Sequence, residues 1–152
     1  MKVVHLIRHG EVDGIGHIVE LVRDCGALDR SHEALTADYV PRADLVTPNA
    51  WEAEQLSGLV VADAVSALAA AAALGAPSAL VTSVRKQDRI GAVYADAEHA
   101  LFAHAPKRAN APNGTGDLLT AAFLGATIAG AGPAEALLDA VRRVDGALAA
   151  GE

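Results

Sequence analysis

The run Asn113-Gly114-Thr115-Gly116-Asp117 places two glycines and a carboxylate directly before an apolar stretch at 118–129 that can form a helix. Glycine lets backbone N–H groups approach an anion closely, and a helix start adds N–H donors and the positive end of the helix dipole. A carboxylate repels an anion held there. Asp117 is therefore interpreted as a general base that deprotonates a hydroxyl while residues 114–116 hold the phosphoryl group. The alternative is a glycine-rich turn with an ordinary aspartate N-cap.

A second polar motif, Thr47-Pro48-Asn49-Ala50-Trp51-Glu52, follows a short apolar run and opens a predicted helix. Asn49 and Glu52 are three residues apart, so on one helical turn their side chains can approach a single site. Carboxylate and amide oxygens suit magnesium, which prefers oxygen ligands and keeps part of its hydration shell. A plain capping box is the alternative interpretation, and both can hold together.

Composition excludes several function classes. The 152 residues predict one domain, and because 52% are hydrophobic but only 3% aromatic, alanine and valine must fill the core. A net charge of -7 argues against nucleic acid or an anionic membrane as the partner. The single cysteine, Cys25, excludes an internal disulfide and is typical of a cytoplasmic protein. The apolar stretches at 65–84 and 118–134 are rich in small residues and predict buried elements rather than membrane spans.

Strand-like and helix-like segments alternate along the chain. Strands are predicted at 2–7, 17–22, 44–46 and 78–84, with an antiparallel pair at 91–95 and 100–104. Helices are predicted at 31–40, 49–56, 63–74, 117–129 and 133–148, with Asp63 as an N-cap, Gly58 and Gly75 at C-termini and Pro133 at a first helical position. This alternation predicts an α/β domain whose mostly parallel sheet is flanked by helices.

Three stretches together resemble the pyridoxal kinase branch of the ribokinase-like superfamily, in order and spacing as well as content. They are the segment from Ala43 to Gly58, the segment Leu80-Val81-Thr82-Ser83, and the segment from Asn113 to Leu118. The resemblance covers about residues 26–149. It implies a ribokinase-like fold that is incomplete relative to the family, whose members are nearly twice as long and carry much of the vitamin pocket in an N-terminal half.

The resemblance also implies ATP-dependent phosphorylation of the hydroxymethyl group of pyridoxal, or of hydroxymethylpyrimidine, with ATP and Mg²⁺ required. An unfinished sheet with open edges predicts a homodimer. Carried over onto this sequence, the family's site has Asp117 as the base and Gly114, Thr115 and Gly116 as the anion hole. It further has Asn49 and Glu52 at the magnesium–phosphate cluster, Asp24 as an additional candidate metal ligand, and Thr47 and Thr82 at the ATP phosphates.

The N-terminus carries a different signal. Leu6-Ile7-Arg8-His9-Gly10-Glu11 resembles the opening of the histidine phosphatase (phosphoglycerate mutase-like) superfamily, where His9 would be the nucleophile and Arg8 would bind the incoming phosphate. The later His-Gly pair of those enzymes is absent from the sequence. Residues 1–25 are therefore of uncertain origin, and a composite chain is one explanation. Three functions stay open: a vitamin B6 kinase, a histidine phosphatase, and a nucleotide-binding module without turnover.

Overall fold

The computed structural model describes residues 3–9, 17–20, 40–109 and 111–151, the first two segments as backbone only. Strands β1 (Val3–His9) and β2 (His17–Glu20) come first, and a short 3-10 helix (Val40–Arg42) precedes β3 (Leu45–Thr47). Helices α1 (Ala50–Ser57) and α2 (Ala64–Ala73) follow. Next come β4 (Ala79–Lys86), β5 (Arg89–Ala95) and β6 (Ala100–Pro106), then helices α3 (Thr115–Ile128) and α4 (Pro133–Ala150). The helix predicted at 31–40 lies almost wholly outside the described residues.

The described strands form one mixed sheet in the order β2-β1-β3-β4-β5-β6. The ladders β1–β3 and β3–β4 are parallel, whereas β1–β2, β4–β5 and β5–β6 are antiparallel. The α/β class with flanking helices is confirmed, but the sheet is not mostly parallel as predicted. The reason lies in the connections: only residues 87–88 join β4 to β5 and only residues 96–99 join β5 to β6, and turns this short can join only antiparallel neighbours.

Helices cover both faces of the sheet. Along β3 and β4, neighbouring side chains enter opposite cores: Val46 and Val81 pack with α1 and α2, while Leu45 and Leu80 pack with α3 and α4. This follows from the two-residue period of a strand, and it explains why these strands are continuous apolar runs. Small side chains fill the α1–α2 core as the composition predicts, with the following alanines buried: Ala53, Ala67, Ala70, Ala71 and Ala79.

Helix ends follow the predicted local signals. Asp63 caps α2, its carboxylate accepting a hydrogen bond from the Ser66 N–H at 2.8 Å. Gly58 ends α1 with a left-handed φ of 72°, and Gly75 follows α2 with φ of 76°. Pro133 is the first residue of α4. Within the described segments, no helix is both long enough and apolar enough to span a bilayer.

Candidate active site

The turn before α3 has the geometry of an anion-binding helix start. Gly114 is the N-cap, with a left-handed φ of 89°, and it brings no side chain to cap the helix. The first backbone bond of the helix runs from the Leu118 N–H to the Gly114 carbonyl at 3.0 Å, so the amides of residues 115–117 lie ahead of the helical ladder. The helix thus begins at Thr115, two residues earlier than predicted, and the N-cap is not the aspartate.

Asp117 occupies the third position of α3, one turn after the N-cap. A Cβ added to Gly114 would lie 3.9 Å from the Asp117 Oδ2 atom. The carboxylate therefore lies back over the first turn of the helix, and it is accessible to solvent. From this position the carboxylate can reach a group that lies beside the turn.

Gly116 brings α3 into close contact with the end of β4. A Cβ at Gly116 would lie only 3.1 Å from the Thr82 Oγ1 atom, tighter than an ordinary carbon–oxygen contact. Thr82 is buried, and its backbone N–H donates to the Pro48 carbonyl at 2.9 Å. The three stretches that resemble pyridoxal kinases therefore meet at this point, through Pro48, Thr82 and Gly116.

The Asn49–Glu52 pair forms a reciprocal capping box at the start of α1. The Asn49 Oδ1 atom accepts from the Glu52 N–H at 2.9 Å, and the Glu52 Oε2 atom accepts from the Asn49 N–H at 2.8 Å. The capping interpretation is confirmed. Glu52 is only 1% exposed, so this box also buries a carboxylate beside the strand ends.

These residues share one edge of the sheet. Asn49 forms an isolated parallel bridge with Thr82, and Thr47 ends β3 in a buried position beside them. In open α/β sheets, ligands bind outside the carboxyl ends of parallel strands. The structure thus assembles Thr47, Asn49, Glu52, Thr82 and the 114–117 turn at the edge where a ligand is expected.

A backbone distortion marks the same edge. Ser83 has a left-handed φ of 61°, and the β4–β5 pairing shifts register between Val81 and Val84. Left-handed geometry in a residue with a Cβ costs about 1–3 kcal/mol and concentrates at functional sites. The sequence resemblance included Ser83, but the residue alternation did not indicate the distortion.

A pocket adjoins the turn. Its walls are mostly apolar. The residues that line it are Thr82, Ser83, Ile90, Gly91, Ala105, Pro106, Lys107, Arg108, Ala111, Thr115, Gly116, Leu119, Val141, Val144, Asp145 and Leu148. Because Thr115 and Gly116 belong to both features, a ligand could place a flat apolar group in the pocket and an anionic group at the turn.

The predicted residues near the N-terminus are less fully described. Arg8 and His9 end β1, which runs parallel to β3 with His5 opposite Thr47, so their backbone continues toward the same edge. Their side chains are not described, and Asp24 lies outside the described residues. Among the residues that the structure does describe, no group of three or more histidine, cysteine, aspartate or glutamate residues could hold a metal ion.

With this geometry established, comparison with known proteins identifies the family. The family model described as phosphomethylpyrimidine kinase matches residues 25–152. The chain belongs to the phosphomethylpyrimidine kinase family.

Individual relatives agree with this membership. The chain is 42% identical over 106 residues to pyridoxal kinase PdxY of Rubrobacter xylanophilus, covering 64% of this chain and 37% of that protein. Its fold is similar to pyridoxal kinase from Entamoeba histolytica, with a TM-score of 0.70, 25% identity, and coverage of 81% of this chain and 46% of the other. It is also similar to pyridoxal kinase from Staphylococcus aureus in complex with AMP-PCP and pyridoxal, with a TM-score of 0.65, 28% identity, and coverage of 75% and 45%.

These comparisons confirm the predicted ribokinase-like α/β fold and the resemblance to pyridoxal kinases. The chain spans less than half the length of these relatives. Sequence reasoning missed the pocket, whose lining comes from β4, β5, β6, the loop after β6, α3 and α4. Its apolar wall residues, such as Leu119, Val141 and Val144, resemble ordinary core positions of their own helix, so no local pattern indicated a shared cavity.

Proposed function

We propose that this chain carries the nucleotide and phosphoryl-transfer part of a kinase site that uses ATP to phosphorylate the hydroxymethyl group of pyridoxal or a related ring alcohol. The observation that carries the proposal is the start of α3, where a glycine N-cap and a close glycine–threonine contact adjoin a carboxylate that lies back over the turn. Relatives named as pyridoxal kinases support the activity, and the Staphylococcus aureus complex with AMP-PCP and pyridoxal supports both substrates.

Phosphate binding follows from the helix start. The amides of residues 115–117 and the positive end of the α3 dipole favour an anion. The missing side chain of Gly116 keeps the turn close to the Thr82 hydroxyl, which adds a possible hydrogen-bond donor for a phosphate oxygen. In the proposed complex, residues 114–116 hold the γ-phosphoryl group and stabilise the charge that spreads over its oxygens.

Asp117 is the proposed general base. It takes the proton of the substrate hydroxyl as that oxygen forms a bond to the γ-phosphorus, while the bond between phosphorus and the β–γ bridging oxygen breaks. ADP leaves with the electron pair of the broken bond, and the product is a phosphate monoester. Asp117 lies in the first turn of the helix, so in the proposed complex its carboxylate is beside the phosphoryl group. The proposed reaction forms no covalent intermediate with the protein.

In the proposed complex, Asn49 and Glu52 would hold a magnesium ion at the sheet edge. The buried Glu52 carboxylate and the Asn49 amide offer oxygen chemistry, and a site with few protein ligands is the usual arrangement for magnesium with a nucleotide. The ion would neutralise charge on the phosphates. Asp24 stays a prediction as a further ligand.

The apolar pocket is the proposed place for the adenine ring, since it shares residues with the turn. The choice between pyridoxal and hydroxymethylpyrimidine stays open. The single domain, the cytoplasmic location and the homodimer stay predictions from the sequence. A phosphatase mechanism at His9 is not favoured, because the family and the relatives described above are kinases.

Asp117→Asn tests the proposed base. We expect ATP affinity to stay within about threefold of wild type and turnover of pyridoxal to fall by about a hundredfold or more, the scale of a lost general base. Asp88→Asn, in the exposed β4–β5 turn, is the matched control and should leave both unchanged. Calorimetric ATP titration with magnesium and a coupled ADP assay measure the two quantities.

The outcomes separate the functions. Full turnover in Asp117→Asn contradicts the base assignment. Wild-type protein that binds ATP but shows no turnover supports the nucleotide-binding module instead. Acid-labile phosphohistidine at His9 after incubation with a phosphate monoester would favour the phosphatase.

A further inference from the structure

An ion pair joins two residues that line the pocket, Arg108 and Asp145. The Arg108 Nε and Nη2 atoms both donate to the Asp145 Oδ1 atom, at 3.0 and 2.7 Å. The Arg108 side chain is 20% exposed and that of Asp145 33% exposed, so the pair is partly shielded from water. Two charge-assisted bonds to one oxygen in this setting are stronger than a fully exposed surface pair.

This pair joins the loop that precedes the Gly114 turn to helix α4, which forms one wall of the pocket. Arg108 lies in the 107–114 loop, which the structure describes at residues 107–109 and 111–114 and which connects β6 to the Gly114 turn. Asp145 lies on α4, among the wall residues Val141, Val144 and Leu148 and three residues before the last of them. Both partners line the pocket. The bond therefore links the α4 wall of the proposed adenine pocket to the loop that leads into the phosphate turn.

The rest of the loop is mostly exposed. The Lys107 N–H donates to the Asp88 carbonyl at 2.8 Å, which fixes the start of the loop to the β4–β5 turn. Residues 109 and 111–114 are exposed. Arg108 thus ties the loop to α4 at a point between the fixed start of the loop and the first turn of α3.

We propose that the Arg108–Asp145 pair is a latch that positions the 107–114 loop, and with it the phosphate turn, against the α4 wall of the pocket. The proposal rests on the function proposed above. The latch touches neither phosphate nor hydroxyl, so its residues are positioning residues. When the latch is broken, the nucleotide must order the loop as it binds. The entropy cost of this ordering weakens binding of both the adenine end and the phosphate end of the nucleotide.

The chain offers a matched control on the same helix. The Arg143 Nε atom donates to the Asp139 Oδ2 atom at 2.6 Å, an exposed pair one turn apart that does not line the pocket. Asp145→Asn and Asp139→Asn therefore remove the same charge from the same helix. Only the first breaks a contact with the loop.

Binding of ATP and of inorganic tripolyphosphate to the whole chain tests the latch. We expect Asp145→Asn to weaken ATP binding about tenfold and tripolyphosphate binding about threefold or more, and Asp139→Asn to change neither by more than about twofold. Asp145→Glu keeps the charge and should recover part of the loss. Equal affinities in the two asparagine variants overturn the latch. So does a loss for ATP with unchanged tripolyphosphate binding, because the pair would then shape only the pocket.

Limited trypsin digestion tests the latch independently of nucleotide binding. Cleavage after Lys107 and Arg108, followed by mass spectrometry, should be at least threefold faster in Asp145→Asn than in wild type or Asp139→Asn. Equal rates overturn the latch. If wild type binds no ATP while the cleavage rates differ as expected, the proposed function fails and the restraint on the loop stands.

Discussion

Replacing Gly116 with alanine adds one methyl group where α3 meets β4. The new Cβ would lie 3.1 Å from the Thr82 Oγ1 atom and 3.8 Å from the Thr82 Cβ atom. Thr82 is 4% exposed and is held through its backbone N–H by the Pro48 carbonyl, so it has little room to retreat. Overpacking of this kind costs about 1–3 kcal/mol. Alanine recovers up to about 1 kcal/mol through its higher helix propensity, so we expect a net loss of about 0–3 kcal/mol.

ATP binding should weaken as well. The methyl group moves the 114–116 turn away from Thr82, and a backbone that must approach an anion closely tolerates such a shift poorly. We expect ATP affinity to fall about tenfold, which corresponds to about 1.4 kcal/mol. Urea unfolding gives the stability, and calorimetric titration gives the affinity.

Gly125→Ala on the same helix is the control. No atom outside its own helical surroundings lies within 4 Å of the Cβ position at Gly125. This variant should therefore gain about 0.5–1 kcal/mol of stability and bind ATP like wild type. The contact between Gly116 and Thr82 also predicts coupling, so Gly116→Ala combined with Thr82→Ala should lose less stability than the two single changes added together. If Gly116→Ala matches Gly125→Ala in both measurements, the close approach is refuted.

Two further predictions concern Ser83 and Asp96. Ser83→Gly should raise the free energy of unfolding by up to about 1 kcal/mol in urea titrations, because glycine adopts the left-handed φ of 61° with less strain; a loss of more than 1 kcal/mol would show that the serine side chain holds the bulge. Burial raises the pKa of Asp96, but hydrogen bonds from the Glu98 N–H, the Tyr94 hydroxyl and His99 outweigh it and lower that pKa to about 2. Because the pKa of Asp96 is lower in the folded state than in the unfolded state, its carboxylate stabilises the fold at pH values above the unfolded-state pKa. This stabilisation is lost as the pH falls toward the folded-state pKa. Between about pH 4 and pH 2, wild type should therefore lose about 1–2 kcal/mol more stability than Asp96→Asn in pH-dependent melting.

Local features of this chain could be predicted from its sequence. The caps at Asn49 and Asp63, the helix end at Gly58 and the first-turn position of Pro133 all occur as expected. Each of these helix ends depends on hydrogen bonds or backbone angles within about four residues, so neighbouring residues in the sequence are enough to predict it. The alternation of apolar runs with helical segments likewise determined the α/β class, and the three motifs determined the family.

Tertiary structure alone decided how these parts meet. The β4–β5 hairpin added antiparallel pairing beyond the predicted β5–β6 pair, and packing of α3 against β4 brought Gly116 to Thr82, which lies 34 residues away in the sequence. The Arg108–Asp145 pair joins residues 37 positions apart. Such contacts depend on how all the helices and strands pack at once, because burial and register are shared among distant segments. For that reason the sequence was enough to predict the phosphate turn, whereas the pocket beside the turn and the ion pair that lines this pocket were found only in the folded structure.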